Sequence, residues 1–349
     1  MKRLTIRHVA ELAGVSVGTV SNALNRPNLV ADATLARIHK AIEELGFVRN
    51  QAARQLRGVH SPAIGLVVLD IDNPFFTQMA RGVEKAANEI DHVVILCSSG
   101  GDRSLENKHL RLLEEQRVAG VLITPAGRHA SKLQQQLRDR GTPLVLLDRR
   151  SPRRDRCSVA VDDVKGGQLA AQHLIDLGHT HVGFINGPRE ISQCADRRAG
   201  FVSVLEAASL KLAAGNDIEM DALTIAAGEA AAANLLARKN QPTAIFCAND
   251  LLALGAEHAI VAAGGHVPED IAIVGYDDVA FAAMAFVPLT SIRQPAYELG
   301  YRAAKLLLEE ASGQPHHHEQ VLFTPELVTR GSTVGNGVSE RGSGHDSLR

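Results

Sequence analysis

From residue 64 onward, short apolar runs alternate with longer amphipathic segments, and no other feature narrows the possible folds as much. The runs fall at 64–69, 93–97, 121–123, 144–148, 182–186, 244–248 and 271–275. Strands separated by helical stretches pair in parallel, with the intervening helices covering the faces of the sheet. Two such sheets fit these runs, with a boundary near Val159 to Val161. The expected class is therefore α/β, with a two-lobed core of parallel sheets. A chain of 349 residues has room for two or three domains.

Residues 5 to 45 follow a helical period instead. Thr5 can cap a helix in which Ile6, Val9, Ala10 and Ala13 share one face, and Gly14 permits the tight turn that ends it. Ser16 can cap a second helix from Val17 to Leu24, with Val20, Ala23 and Leu24 inward and Val17, Gly18, Ser21 and Asn22 outward. Two short helices about a glycine turn predict a helix-turn-helix. Thr34 can cap a third helix, 35–45, with Leu35, Ile38, Ile42 and Leu45 as its core stripe.

Charge divides the chain in the same place. Residues 1–60 carry nine Lys and Arg against four Asp and Glu, a local +5 in a chain whose net charge is −2. A basic head on an acidic body suits phosphate neutralisation on nucleic acid. No apolar run approaches the ~20 residues of a membrane span, and the N-terminus lacks the apolar centre of a secretory signal, so a cytoplasmic protein is expected. Residues 331–349 are rich in Gly and Ser and are read as a disordered tail.

Particular residues sharpen this outline. The elements Val9-Ala10, Ala13-Gly14-Val15-Ser16 and Thr19-Val20-Ser21, followed by Leu45-Gly46-Phe47 and Ala53-Arg54-Gln55-Leu56-Arg57-Gly58, resemble the head of the LacI family of regulators at many fixed offsets. The resemblance extends to Leu327-Val328-Thr329-Arg330-Gly331-Ser332-Thr333, similar to the family's closing strand. It implies a helix-turn-helix domain over 1–49 and a hinge helix and linker over 50–60. An effector-binding and dimerisation core follows over 61–330, one lobe holding 61–159 and 290–324 and the other 160–289 and 325–330. A homodimer on a palindromic double-stranded operator is expected, with no cofactor and no catalysis.

A recognition helix starting at Val17 directs its first residues at base edges in the major groove, so Val17, Gly18 and Asn22 are the candidates for direct readout. Ser16, Thr19, Ser21 and Asn25 suit phosphates, contacts that fix register without reading sequence. Thr5, Asn50 and Ala53 join the expected DNA contacts through the resemblance, which also implies that Leu56 wedges into a minor-groove base step.

The core resembles the ribose-type periplasmic sugar-binding proteins. Asn73, Phe75, Phe76, Asp148, Arg149, Arg197, Asn249, Asp277 and Gln294 are its expected effector contacts. Most fall just past a strand's carboxyl end, where ligands bind in open α/β sheets. Phenylalanines can cover the apolar face of a sugar, and the polar residues can pair its hydroxyls. The alternative is a transport-type sugar-binding protein, which leaves the basic head without a role. The run His316-His317-His318 is read as a solvated loop, since no fourth metal ligand is spaced nearby, and the four separate cysteines as core thiols.

Overall fold

The computed structural model describes residues 4–47 and 61–334, which form two units, one ending and the other beginning at about residue 61. The expected hinge contacts Asn50, Ala53 and Leu56 lie outside the described residues.

The first unit holds three helices, α1 (Ile6–Ala13), α2 (Val17–Asn25) and α3 (Asp32–Leu45). Gly14 follows α1 at φ +64°, and its amide turns back to α1 carbonyls, as the glycine turn requires. Val9, Ala10, Ala13, Val20, Ala23, Ile38 and Ala41 are buried together, with Leu24, Leu35, Ile42 and Leu45 packed against them. The third helix begins at Asp32, three residues before the expected start at Leu35. Ala31 takes the cap position in extended conformation, and Asp32 places a carboxylate in the positively polarised first turn.

The second unit contains two six-stranded sheets. The first is formed by β1 (Ser61–Val68), β2 (Val93–Ser98), β3 (Val118–Ile123), β4 (Leu144–Leu147), β5 (Ser158–Val161) and β11 (Gln320–Phe323), in the order β11-β5-β4-β3-β1-β2. The second contains β6 (Val182–Asn186), β7 (Asp217–Glu219), β8 (Ala244–Cys247), β9 (Ala272–Asp277), β10 (Thr290–Arg293) and β12 (Glu326–Val328), in the order β12-β10-β9-β8-β6-β7. The β10–β12 pair is antiparallel, whereas β6–β7, β6–β8, β8–β9 and β9–β10 are parallel. Helices on the sheet faces include α4 (Pro74–Asn88), α5 (Arg103–Glu115), α6 (Lys132–Asp139) and α7 (Asp163–Asp176). They continue with α8 (Ser192–Ala207), α9 (Ile225–Leu236), α10 (Asp250–Ala262) and α11 (Ala296–Ala311). No helix among the described residues is long and apolar enough to cross a membrane.

Three boundaries differ from expectation. Residues 158–161 form a strand of the first sheet, so the chain leaves that lobe after Val161. The return crossing follows Arg293 instead of residue 289, because Thr290–Arg293 pairs with β9 and β12 and so belongs to the second sheet. The expected tail is ordered at its start. Gly331–Val334 is a helical turn, α12, whose Ser332 hydroxyl donates to Ile273 O at 2.7 Å and accepts from Thr290 N at 2.8 Å. Short hydroxyls satisfy buried backbone there, a role that apolar content does not reveal.

Helix pairs on both lobes meet at glycines. A Cβ on Gly82 of α4 would lie 2.0 Å from Tyr297 O, and one on Gly300 of α11 1.9 Å from Met79 O. Gly167 and Gly200 make the same reciprocal approach between α7 and α8, as do Gly228 and Gly255 between α9 and α10.

Candidate functional site

On the head, Ser16 caps α2 by accepting from Thr19 N at 3.0 Å, and its hydroxyl also meets Thr19 Oγ1 at 2.8 Å. Asn25 donates to Ser21 O at 2.7 Å. The Thr5 hydroxyl lies 2.8 Å from His8 Nδ1. Side chains expected to bond phosphate are thus held by one another along the helix ends. Val17, Gly18 and Asn22 are exposed, so the start of α2 presents one apolar group, one bare backbone position and one amide to its surroundings.

In the core, the carboxyl ends of the strands face each other across the lobes. Asn73 follows β1 and caps α4, its Oδ1 accepting from Phe75 N at 3.0 Å. Its Nδ2 donates to Asp277 Oδ2 of the other lobe at 2.9 Å. A second bond joins the lobes where Gln193 of α8 donates through Nε2 to Asp148 O at 2.6 Å and to Asp148 Oδ2 at 2.8 Å. Asp148 sits just beyond β4 at φ +56°, and its other oxygen, Oδ1, is buried with no hydrogen-bond partner among the described residues.

Arg197 of α8 organises the second lobe's side. Its Nε donates to Asp163 Oδ1 at 2.8 Å, its Nη1 donates to Ala248 O at 2.6 Å, and its guanidinium carbon lies 3.6 Å from the centre of the Tyr276 ring. Asp277 Oδ1 is 3.9 Å from Nη1. Burial opposes the charge of Arg197, but Asp163, Tyr276, Asp277 and Asp148 outweigh it and hold its pKa well above the usual value. Burial pushes the Asp277 carboxyl up to about 6, against the pull of Arg197, Asn73 and Gln294 towards the charged form. Asp148 is raised well above its ordinary range by burial and then by the negative charge of Asp163. Carboxyls with raised pKa beside a fixed guanidinium can accept or donate, which suits a ligand bearing hydroxyls.

Asn73, Phe75, Phe76, Asp148, Arg197, Asn249 and Asp277, seven of the expected effector contacts, line one cavity between the lobes. Gln294 stands behind it, donating to Asp277 Oδ1 at 2.7 Å. Arg149 departs from expectation, since its guanidinium turns to the carbonyls of Gly127 and Arg128 and lines a larger neighbouring cleft. Asn249 is engaged as the cap of α10, accepting from Leu252 N at 2.9 Å, and it donates to Leu223 O at 3.2 Å. The cavity measures about 30 Å³, room for little more than a water. The adjoining cleft is about 770 Å³ and shares Asp148 and Gln193 with it. Gln193, Asp163, Ile191 and Leu223 were not among the expected contacts. Gln193 was open to discovery, lying four residues before Arg197 and hence on the same face of α8.

The histidine run, expected to be a solvated loop without further ligands, has other donor groups beside it. His316 and His318 face Cys157 and Glu310, so further potential ligands are present that sequence spacing could not show. His317 is exposed.

Two family models match separate stretches of the chain. Residues 5–50 match the lacI family of bacterial regulatory proteins, and residues 171–333 match the periplasmic binding protein-like domain. The HTH-type transcriptional repressor PurR of Aliivibrio salmonicida is 36% identical over 332 residues, spanning 94% of this chain and 98% of the relative. The ribose operon repressor of Escherichia coli K12 is 33% identical over 328 residues, spanning 94% and 99%. Among solved structures, the lac repressor dimer bound to operator and the anti-inducer ONPF superposes with a TM-score of 0.82 at 27% identity, covering 96% of this chain and all of that one. A complex of the transcriptional regulator CelR with cellobiose gives a TM-score of 0.71 at 32% identity, covering 95% and 100%.

Proposed function

The chain belongs to the LacI family of bacterial regulatory proteins, and on that premise we propose that a small sugar bound between its lobes sets the affinity of its head for operator DNA. It is a DNA-binding repressor whose relatives are repressors and not enzymes, so the cleft carboxyls serve binding instead of turnover. The effector is a pentose or similar monosaccharide, and the operator is palindromic and read by a homodimer. Exposed apolar side chains, Val93 and Leu96 on β2 and Met284 and Phe286 before β10, supply surface that a second copy can cover.

The observation that carries the reading is the buried, unpartnered Asp148 Oδ1 in a cavity walled by Phe75 and Phe76 and bounded by polar groups of both lobes. A sugar hydroxyl satisfies that oxygen. At 30 Å³ the cavity admits no monosaccharide as it stands, so binding changes the spacing of the lobes, and with it the competence of paired heads for DNA. By linkage, a sugar that lowers operator affinity is itself bound less tightly by the operator complex, by the same factor.

Gel-shift titration across a panel of monosaccharides, with nucleobases as a second arm, tests the proposal. One compound class is expected to move operator affinity, and no response to any sugar would overturn the sugar reading. Asp148→Asn is the companion variant. It keeps an acceptor for Gln193 but puts an amide where the ligand needs an acceptor, so the sugar concentration for half response rises about 10- to 100-fold. Operator binding without sugar stays intact. An unchanged half-response would remove Asp148 from the site.

At the head, Asn22→Ala is expected to relax base preference at one position of each half-site, at a cost of about 1–3 kcal/mol there. Binding-site selection with randomised operators reads this directly. Unaltered preference at every position would assign Asn22 a role other than readout.

A further inference from the structure

We propose that Cys157, Glu310, His316 and His318 form a binding site for a divalent transition cation of the zinc class. The four side chains come from three parts of the first lobe. Cys157 immediately precedes β5, Glu310 lies in the last turn of α11, and the two histidines lie in the loop entering β11, which pairs in parallel with β5. Cys157 Sγ is 3.0 Å from His316 Nε2 and 3.8 Å from His318 Nδ1, and His318 Nδ1 is 3.9 Å from Glu310 Oε2. All four donor atoms lie within 4.8 Å of one another.

Several observations favour a cation over a chance cluster. In extended chain, alternate side chains share a side, so His316 and His318 can converge on Cys157 and Glu310, and His317 is not part of the cluster. Glu310 Oε2 is buried and accepts no hydrogen bond among the described residues, an acceptor waiting for a positive partner. The backbone amide of Glu319 donates to Cys157 Sγ at 3.3 Å, the kind of bond that steadies a thiolate ligand.

The donor set selects the metal. One thiolate, two imidazoles and a carboxylate suit zinc and its borderline neighbours, and disfavour magnesium and calcium, which take oxygen ligands. A tetrahedron with Zn–S of about 2.3 Å and Zn–N of about 2.0 Å has edges of roughly 3.5 Å, so closure asks each donor atom to move less than about 1 Å. The bound cation would fasten the end of α11 and the entry to β11 onto β5. Both strands run from this end of the sheet to the points where the chain crosses between lobes.

The test uses the full-length protein, stripped with a chelator and dialysed against zinc. One zinc per chain is expected to remain, and cobalt in its place should show tetrahedral ligand-field bands with a thiolate-to-cobalt charge-transfer band. His316→Ala, Cys157→Ser and Glu310→Gln should each weaken zinc affinity about 100-fold or more in chelator competition, and His317→Ala should leave it unchanged. Should Cys157→Ser fail to fold, His318→Ala and Glu310→Gln carry the same test from less buried positions. Three results would overturn the site: no zinc retained by the parent protein, cobalt bound without the thiolate band, or equal losses in His317→Ala and His316→Ala.

Discussion

Arg197→Ala is expected to destabilise the core by about 3–5 kcal/mol, a large part of the stability of an ordinary domain. Arg197 is 5% exposed and its principal partner Asp163 is 7% exposed, so truncation strands a buried carboxylate with no water to replace the guanidinium. Ala248 O loses its donor as well, and the face of Tyr276 loses the cation above it. The loss is greatest where Asp163 is ionised. Burial already raises its pKa, and without Arg197 that pKa rises further, so the variant regains stability as pH falls and the carboxyl accepts a proton. Urea unfolding at neutral and mildly acidic pH measures both effects. A variant as stable as the parent at neutral pH would show that the ion pair contributes nothing to the fold. Because of this load, Arg197 is a poor position for testing ligand contact, and Asp148→Asn is the cleaner one.

Gly300→Ala is expected to cost about 3 kcal/mol or more, even though alanine is the better helix former by roughly 1 kcal/mol. The added Cβ would sit 1.9 Å from Met79 O, a backbone atom held by the hydrogen bonds of α4, so the two helices must separate by more than an ångström. Separation opens the packing beneath α4 and α11, where Met79, Val83, Leu299 and Ala303 are fully buried. Gly18→Ala is the control. Its nearest contact would be Ser16 Oγ at an ordinary 3.6 Å, and the substitution should be neutral or slightly stabilising for the head. Matching effects at the two positions would mean that the close approach does not limit the fold.

The seven strands read from apolar runs all appear, with ends displaced by at most a few residues; all but β2 are buried on both faces and so read as continuous apolar stretches, whereas β2 is apolar although partly exposed at its sheet edge. Strands β5, β7, β10 and β11 are not marked by such runs. Asp217–Glu219 is three residues at a sheet edge, Gln320–Phe323 also lies at an edge, and Ser158–Val161 coincides with the expected lobe boundary, which lies just after it. Sequence placed most of the cleft residues together through their positions at strand ends. It could not show that Arg149 turns aside to two carbonyls, or that Gln193 bridges to Asp148, because both depend on side-chain direction. Cys157 and the histidine run are neighbours only because β5 and β11 pair, a long-range register that local spacing does not encode.

The two bonds across the cleft, Asn73 to Asp277 and Gln193 to Asp148, make the protein a competitor for its own site. Each occupies a polar group that an incoming molecule would use, and each belongs to a closed form that leaves no room for that molecule. An effector's measured affinity is then its affinity for the opened form, reduced by the fraction of time the cleft stands open. Sensitivity to the signal can therefore be tuned at Gln193, which is not among the expected effector contacts, by changing how firmly the cleft is held closed. A regulator whose threshold is set by internal occupancy can be shifted to a scarcer or more abundant signal by one substitution, with its chemical selectivity retained.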